Sequence, residues 1–141
     1  MKIENRVMPD KDQIETMIND PGPDGPIVMV NLLKFRDKAA YADGSNPEMT
    51  GREAYALYGA GVAPLIAKHG GRMIYAGPVT FLMLGRADEL WDQVALVEYP
   101  TRASLFEMST SDAYQKISHH RDAGLEGQLN IETTPDLLLP S

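Results

Sequence analysis

Pro26-Ile-Val-Met-Val-Asn-Leu-Leu-Lys-Phe35 is apolar on both of its alternating faces. In an extended chain Ile27, Met29, Asn31, Leu33 and Phe35 point one way, and Val28, Val30, Leu32 and Lys34 the other. A strand with one wet face alternates apolar with polar. This one does not, so it needs cover on both sides. Asn31 is the anomaly, because it shares a face with Met29 and Leu33, and a buried amide is costly unless its donors and acceptor find partners. Asn31 is therefore the first candidate ligand contact, beside the ordinary reading in which it satisfies neighbouring backbone groups.

Toward the N-terminus, Asp20-Pro-Gly-Pro-Asp-Gly-Pro26 is too dense in Pro and Gly for a regular element and reads as a linker. Ahead of it, Asp10 and Gln13 form a capping-box pattern that predicts a helix over 10–19, with Ile14, Met17 and Ile18 as its apolar stripe. The expected division is an N-terminal helix and linker over 1–25 and one domain over 26–141.

After Phe35, the polar stretch 36–49 reads as a surface loop or lid, with Tyr41 either exposed or at a pocket mouth. Thr50 and Glu53 make a second capping box. The helix it opens carries Tyr55, Tyr58, Val62, Leu65, Ile66 and His69 on one face. Gly59, Gly61 and Pro64 predict a kink or a close approach of a neighbouring backbone in its middle, and Gly70-Gly71 ends it. Strand two is expected over 72–84 with a bulge at Gly77-Pro78, and a turn over 85–90 follows. Strand three spans 91–99 and stops at Pro100. Thr101 caps a short helix, the Ser109-Thr-Ser-Asp112 cluster caps another that reaches Asp122, and strand four covers 128–133. The apolar tail Leu137-Leu-Leu139 needs a surface to lie on.

That succession predicts an α+β fold of the ferredoxin-like β-α-β-β-α-β type, a four-stranded antiparallel sheet with an extra N-terminal helix. Helices cover one face of such a sheet. The central strand is apolar on both, so a second copy packed sheet against sheet is the expected cover.

Composition removes several function classes. At 141 residues the chain has room for one sizeable core. Its 43% hydrophobic and 23% charged content speaks against disorder. A net charge of -7 repels nucleic acid and anionic membrane surfaces at long range. With no cysteine, the chain has no disulfide, thiol nucleophile or thiolate metal site. The opening residues lack an apolar signal-like run, and no stretch is long enough to cross a bilayer, so a cytoplasmic protein is expected.

Pro26 through Arg36, Gly51-Arg-Glu-Ala-Tyr-Ala-Leu-Tyr58, Gly70-Gly-Arg72, Trp91 through Pro100, Tyr114-Gln115 and His120-Arg121 together resemble the domain of unknown function 1330 family. The resemblance covers roughly Pro26 to Ile131. It implies the dimeric α/β-barrel superfamily, a homodimer, and a cleft in each protomer. It implies no reaction, since that superfamily spans cofactor-free monooxygenases, isomerases and haem proteins.

The candidate site residues follow from polar groups on apolar faces. Arg121, beside Tyr114, can grip a carboxylate or enolate bidentately or pair with Glu98 or Asp92. Tyr55 and Tyr58 can line the same cleft, although tyrosines on a helix stripe are commonly core residues with a hydroxyl at the edge. Trp91 is expected to pack on the ligand. Glu98 is interesting if inward and ordinary if at the rim. His120 can serve as a general base, with an ordinary pKa near neutrality. His119 and His120 lie about 100° apart on a helix and cannot share one metal. No nucleotide fingerprint or nucleophile elbow is present, so neither metal nor cofactor is expected. The reading is a homodimer binding a small oxygenated or aromatic metabolite between sheet and helices. Cofactor-independent proton transfer or oxygenation would be its chemistry if it is an enzyme, with His120 and Arg121 as the catalytic candidates. The alternative is a non-catalytic ligand-binding or structural dimer.

Overall fold

The strand β1 (Ile27–Phe35) lies between β3 (Gln93–Tyr99) and β4 (Leu125–Thr133), antiparallel to both, and β2 (Arg72–Pro78) pairs with the outer side of β3. The computed structural model describes residues 1–137. The helices are α1 (Lys11–Asn19), α2 (Gly51–Lys68), α3 (Arg102–Ser109), α4 (Asp112–Gln115) and α5 (Ser118–Gly124). Strand order β2-β3-β1-β4 in an antiparallel sheet is the ferredoxin-like arrangement expected from the order of elements.

Local chemistry explains the ends of the helices. Asp10 accepts from the Gln13 backbone N–H while the Gln13 side chain returns to the Asp10 backbone, and Thr50 and Glu53 do the same for α2. Between the helices and the sheet, Ile27 and Met29 of β1 and Val97 and Tyr99 of β3 pack against Val62 and Ile66 of α2 and Met108 of α3. Each such aliphatic side chain contributes about 1.5–3 kcal/mol when removed from water. Arg102 fastens α3 to β4 through a two-pronged pair with Glu132 at 2.7 and 2.8 Å.

The other face of β1 is matched row by row. Val28 lies beside Glu98 and Thr133, Val30 beside Leu96 and Ile131, and Leu32 beside Val94 and Leu129. The helices pack on the opposite side. On β2, Tyr75 lies opposite Leu96 of this face and is exposed; Met73 and Ile74 of the same strand and Phe81, Met83 and Leu84 after it are exposed as well.

Several expected boundaries are corrected. β2 stops at Pro78 instead of running to Leu84, because proline cannot donate to the ladder. Its register shift falls between Met73 and Tyr75, not at Gly77-Pro78. β3 starts at Gln93, two residues after Trp91. The helix expected up to Asp122 is broken at Lys116-Ile117 into α4 and α5. β4 begins at Leu125, directly after Gly124, so Gln128 lies inside the strand. Leu137 is exposed, while Leu138 and Leu139 of the expected tail lie outside the described residues. Among the described residues no helix is long and apolar enough to cross a membrane.

α2 runs unbroken through Gly59, Gly61 and Pro64. Gly61 is closely approached, but by a side chain, since a Cβ there would lie 2.9 Å from Ile117 Cγ2; the close approach of backbone is at the first residue of the helix. A Cβ on Gly51 would run into the Arg36 carbonyl oxygen and lie 2.6 Å from that of Gly124, and one on Gly124 would lie 2.6 Å from the Gly51 oxygen. Two glycines thus let α2 and α5 touch backbone to backbone. Gly51→Ala is expected to destabilise the fold by about 3 kcal/mol or more, because the clash is with main chain that cannot swing aside. Gly59→Ala meets open space and is expected to stabilise by about 0.5–1 kcal/mol. Urea melts of the two variants check both signs.

Candidate functional site

Asn31 sits mid-way along β1 opposite Ala95 and Asn130, on the helix side of the sheet. Its Nδ2 donates to the Ala95 carbonyl at 3.3 Å and to that of Met29 at 3.5 Å, and its Oδ1 accepts from Gln128 Nε2 at 3.0 Å. Gln128 is buried, and its Oε1 accepts from Arg121 Nη2 at 2.8 Å. Arg121 Nη1 donates to the Val7 carbonyl at 2.6 Å. A polar chain therefore crosses from the central strand to α5. Asn31 and Arg121 share it through a residue that sequence reading did not single out. The available signal was the polar row Gln128, Asn130 and Glu132 along strand four, which became meaningful only once the register set it on the helix side.

Beside this chain stands an aromatic wall. Phe35 and Tyr55 have ring centroids 5.4 Å apart, Tyr55 and Tyr58 5.2 Å, and Tyr58 and Tyr114 6.0 Å in an edge-on arrangement. Tyr58 and Tyr114 share a hydroxyl hydrogen bond at 3.0 Å. Arg52 covers the outer side of Phe35 at 4.7 Å and donates to Gln93 Oε1. Burial pushes the Tyr55 phenol up to about 12, with the Arg121 charge pulling it the other way. Burial raises Tyr58 further, aided by Tyr114. Both phenols are neutral hydrogen-bonding groups at physiological pH.

The Tyr55 hydroxyl has no hydrogen-bond partner among the described residues. No buried side-chain polar atom among these residues is left unpaired, so this hydroxyl is not fully sealed from solvent although most of the side chain is covered. It is a free donor and acceptor at the edge of an aromatic wall, in the field of a guanidinium.

Other expected residues go elsewhere. Glu98 points to the open face and pairs with Arg72 at 3.1 Å, on the opposite side of the sheet from Asn31 and Arg121. Asp92 accepts from the Phe35 backbone at 2.8 Å and lies 3.7 Å from Lys34. Neither is a partner of Arg121, whose nearest carboxylate is Asp122 at 3.6 Å. Trp91 donates from its indole nitrogen to Asn5 Oδ1 at 2.9 Å.

His120 faces the 36–49 connection. That segment is tied down by a bridge from Lys38 to Thr50 and by the Ala40 N–H donating to the Ala123 carbonyl, and Ala39 is buried. Its Tyr41 is half-buried, with the hydroxyl 2.6 Å from His120 Nδ1, and the two rings stand edge-on. The contact fits either tautomer: the phenol donating to a bare Nδ1, or Nδ1–H donating to the phenol oxygen and leaving Nε2 as a base. His119 stacks at 4.0 Å between ring centroids. Among the described residues, no group of three or more His, Cys, Asp or Glu is placed to hold a metal. An open depression of about 510 Å³, lined by Leu82 and residues 85–88, lies on the loop after β2 and includes none of Asn31, Tyr55, Tyr58, Tyr114, His120 or Arg121.

The family model for Domain of unknown function (DUF1330) matches residues 32–133. The chain belongs to this family. Among solved structures, the RPA0582 protein of unknown function from Rhodopseudomonas palustris is 34% identical, with a TM-score of 0.83 over 97% of this chain and 100% of that one. A methylated RPA0582 protein gives 34% and 0.84 over 98% of each chain. A protein of unknown function and ferredoxin-like fold from Bacteroides fragilis, described as dimeric, is 14% identical with a TM-score of 0.51, covering 77% of this chain and 94% of that one. No curated protein matches the sequence. In this DUF1330 chain the hydrogen-bonded chain of Asn31, Gln128 and Arg121 lies beside Tyr55, Tyr58 and Tyr114.

His120 is held below its ordinary pKa first by burial and then by the neighbouring His119. A histidine depressed in the folded state is charged in the unfolded chain at pH values where the native ring is still neutral. Its stability penalty is absent well above the ordinary pKa, grows as pH falls through it, and levels off below the native one. Thermal stability is therefore expected to fall on acidification from neutrality, with a shallower decline in His120→Gln. Tyr41→Phe, which removes the phenol, is expected to move the His120 midpoint, measured by proton NMR of the ring.

Proposed function

We propose that the protein is a cytoplasmic homodimer that binds a small oxygenated or aromatic metabolite in the cleft between sheet and helices, one site in each protomer. The observation that carries the ligand is the Tyr55 hydroxyl, which has no hydrogen-bond partner among the described residues and stands beside the wall of Phe35, Tyr58 and Tyr114 and the Arg121 charge. A flat or oxygen-bearing molecule would complete it, stacking on rings and taking hydrogen bonds from the phenol and guanidinium. Asn31 serves indirectly, fixing Gln128 and through it the direction of Arg121. Proton transfer is the chemistry this lining suits, with His120 as the candidate carrier through Nε2 when Nδ1 donates to Tyr41.

The rows Val28-Val30-Leu32, Val94-Leu96 and Leu129-Ile131, with the exposed Tyr75 opposite Leu96, support the second copy. The description of the Bacteroides fragilis protein as dimeric agrees with it. A chain without cysteine needs no oxidising compartment.

A second reading, a structural dimer with no ligand, is favoured by the complete pairing of buried side-chain polar atoms among the described residues. Tyr55→Phe separates the two. It removes only a hydroxyl, so stability is expected to stay within about 0.5 kcal/mol. Affinity for phenolic or carboxylated aromatics found in a thermal-shift screen is expected to drop roughly fivefold to tenfold, the worth of one hydrogen bond. Failure of every such compound to bind, together with loss of melting temperature alone in Arg121→Lys, would leave the structural reading. Sedimentation that gives a single subunit at micromolar concentration would remove the dimer.

A further inference from the structure

Residues 5–7 cross the end of the sheet that carries the cleft. The Arg6 N–H donates to the Gln128 carbonyl at 3.1 Å and the Gln128 N–H to the Arg6 carbonyl at 2.9 Å, an isolated bridge on the outer edge of β4. On one side of that edge Asn5 is held by Trp91; on the other the Val7 carbonyl takes the guanidinium of Arg121. Gly127, opposite Lys34, makes room for the crossing. A Cβ there would lie 2.7 Å from Asn5 Cβ, 3.3 Å from the Asn5 carbonyl carbon and 3.6 Å from the Arg6 nitrogen, and these are its nearest neighbours.

Arg121 is the charged member of the cleft, and its direct partners are neutral. Val7 offers a peptide oxygen and Gln128 an amide oxygen, while the Asp122 carboxylate, at 3.6 Å, is more than half exposed. The tyrosines beside it are un-ionised. A planar guanidinium whose two hydrogen bonds go to separate neutral oxygens, and whose ion pair is a long one to the half-exposed Asp122, is incompletely complemented, and a carboxylate supplies both the charge and the fork geometry.

We infer that residues 5–7 are a strap closing the cleft and that the ligand it excludes carries a carboxylate. The Val7 carbonyl occupies the place on Arg121 that a carboxylate oxygen takes when the strap lifts. This rests on the cleft being the binding site proposed above. Lifting is inexpensive because the strap is joined to β4 by one bridge rather than a ladder, and Asn5 and Arg6 are exposed. Ligand and strap then compete for one cation, and mutations that loosen the strap tighten binding without touching the ligand. Trp91 pins the strap instead of packing on the ligand.

The probe is benzoate, with benzamide as its uncharged counterpart, titrated calorimetrically into the full chain. Trp91 is the only tryptophan, so its emission reports the strap. Benzoate is expected to bind more tightly than benzamide and to shift that emission with the same saturation curve. Gly127→Ala, which pushes the strap off, is expected to bind benzoate about threefold to tenfold more tightly, the equivalent of losing one or two competing hydrogen bonds. Asn5→Ala, which adds no atom, is expected to tighten binding in the same direction and serves if Gly127→Ala folds poorly. Equal benzoate affinity in wild type and both variants, with unmoved Trp91 emission, overturns the strap and leaves the cleft standing. Benzamide binding as well as benzoate overturns the carboxylate. No binding of either compound to any of the three proteins overturns the cleft and the strap with it.

Discussion

The constraint on which everything else rests is the position of β1 between two antiparallel neighbours. Once Ile27, Met29 and Leu33 must be buried on the helix side, the register with β3 and β4 is fixed, since a slip of one residue would turn every side chain to the wrong face. Asn31 is carried into the same layer by alternation alone. Its amide is then obliged to find partners, and it finds them in the Ala95 and Met29 carbonyls and in Gln128. The polar chain to Arg121 is a consequence of where the hydrophobic residues have to be.

A second constraint sets the height of α5 over the sheet. Gly51 and Gly124 remove the side chains that would hold α2 and α5 apart, and the Arg36 main chain closes the junction by accepting from Gly51 and donating to Gly124. The three backbone segments meet where β1 ends, α2 begins and α5 ends. Arg121 is thereby brought down toward Gln128, and Tyr55, one turn into α2, toward Phe35. The polar chain and the aromatic wall owe their proximity to two missing methyl groups.

The two faces of the sheet carry different work. The helix side holds the core and the polar chain. The open side holds matched aliphatic rows with Glu98 and Arg72 paired at one end, so the charge there is neutralised without disturbing the apolar surface. The N-terminal segment links the sides, touching Trp91 through Asn5 and Arg121 through Val7. Family membership and fold leave the chemistry of this arrangement open, since sites are grafted on such scaffolds independently of topology.

The order of elements and the helix N-termini were legible in the residues themselves. Two-faced hydrophobicity marked β1, and the pairs Asp10–Gln13 and Thr50–Glu53 marked the starts of α1 and α2, because those signals act within a few residues of chain. Asn31, Tyr55, Tyr58, Tyr114 and Arg121 were legible as polar or amphipathic groups on apolar faces. What connects them was not. Gln128 became an intermediary only through strand register, Glu98 left the cleft because its strand parity sends it to the open face, and Tyr41 met His120 across 79 residues of sequence. The proline that ended β2 early and the break at Lys116-Ile117 reflect pairing and packing that local propensity does not contain. Sequence alone determined which strand must leave water on both faces and where the side-chain-capped helices begin, since both follow from local chemistry. The tertiary structure decided which polar groups meet, because that depends on long-range register and on how closely two glycines let helices approach.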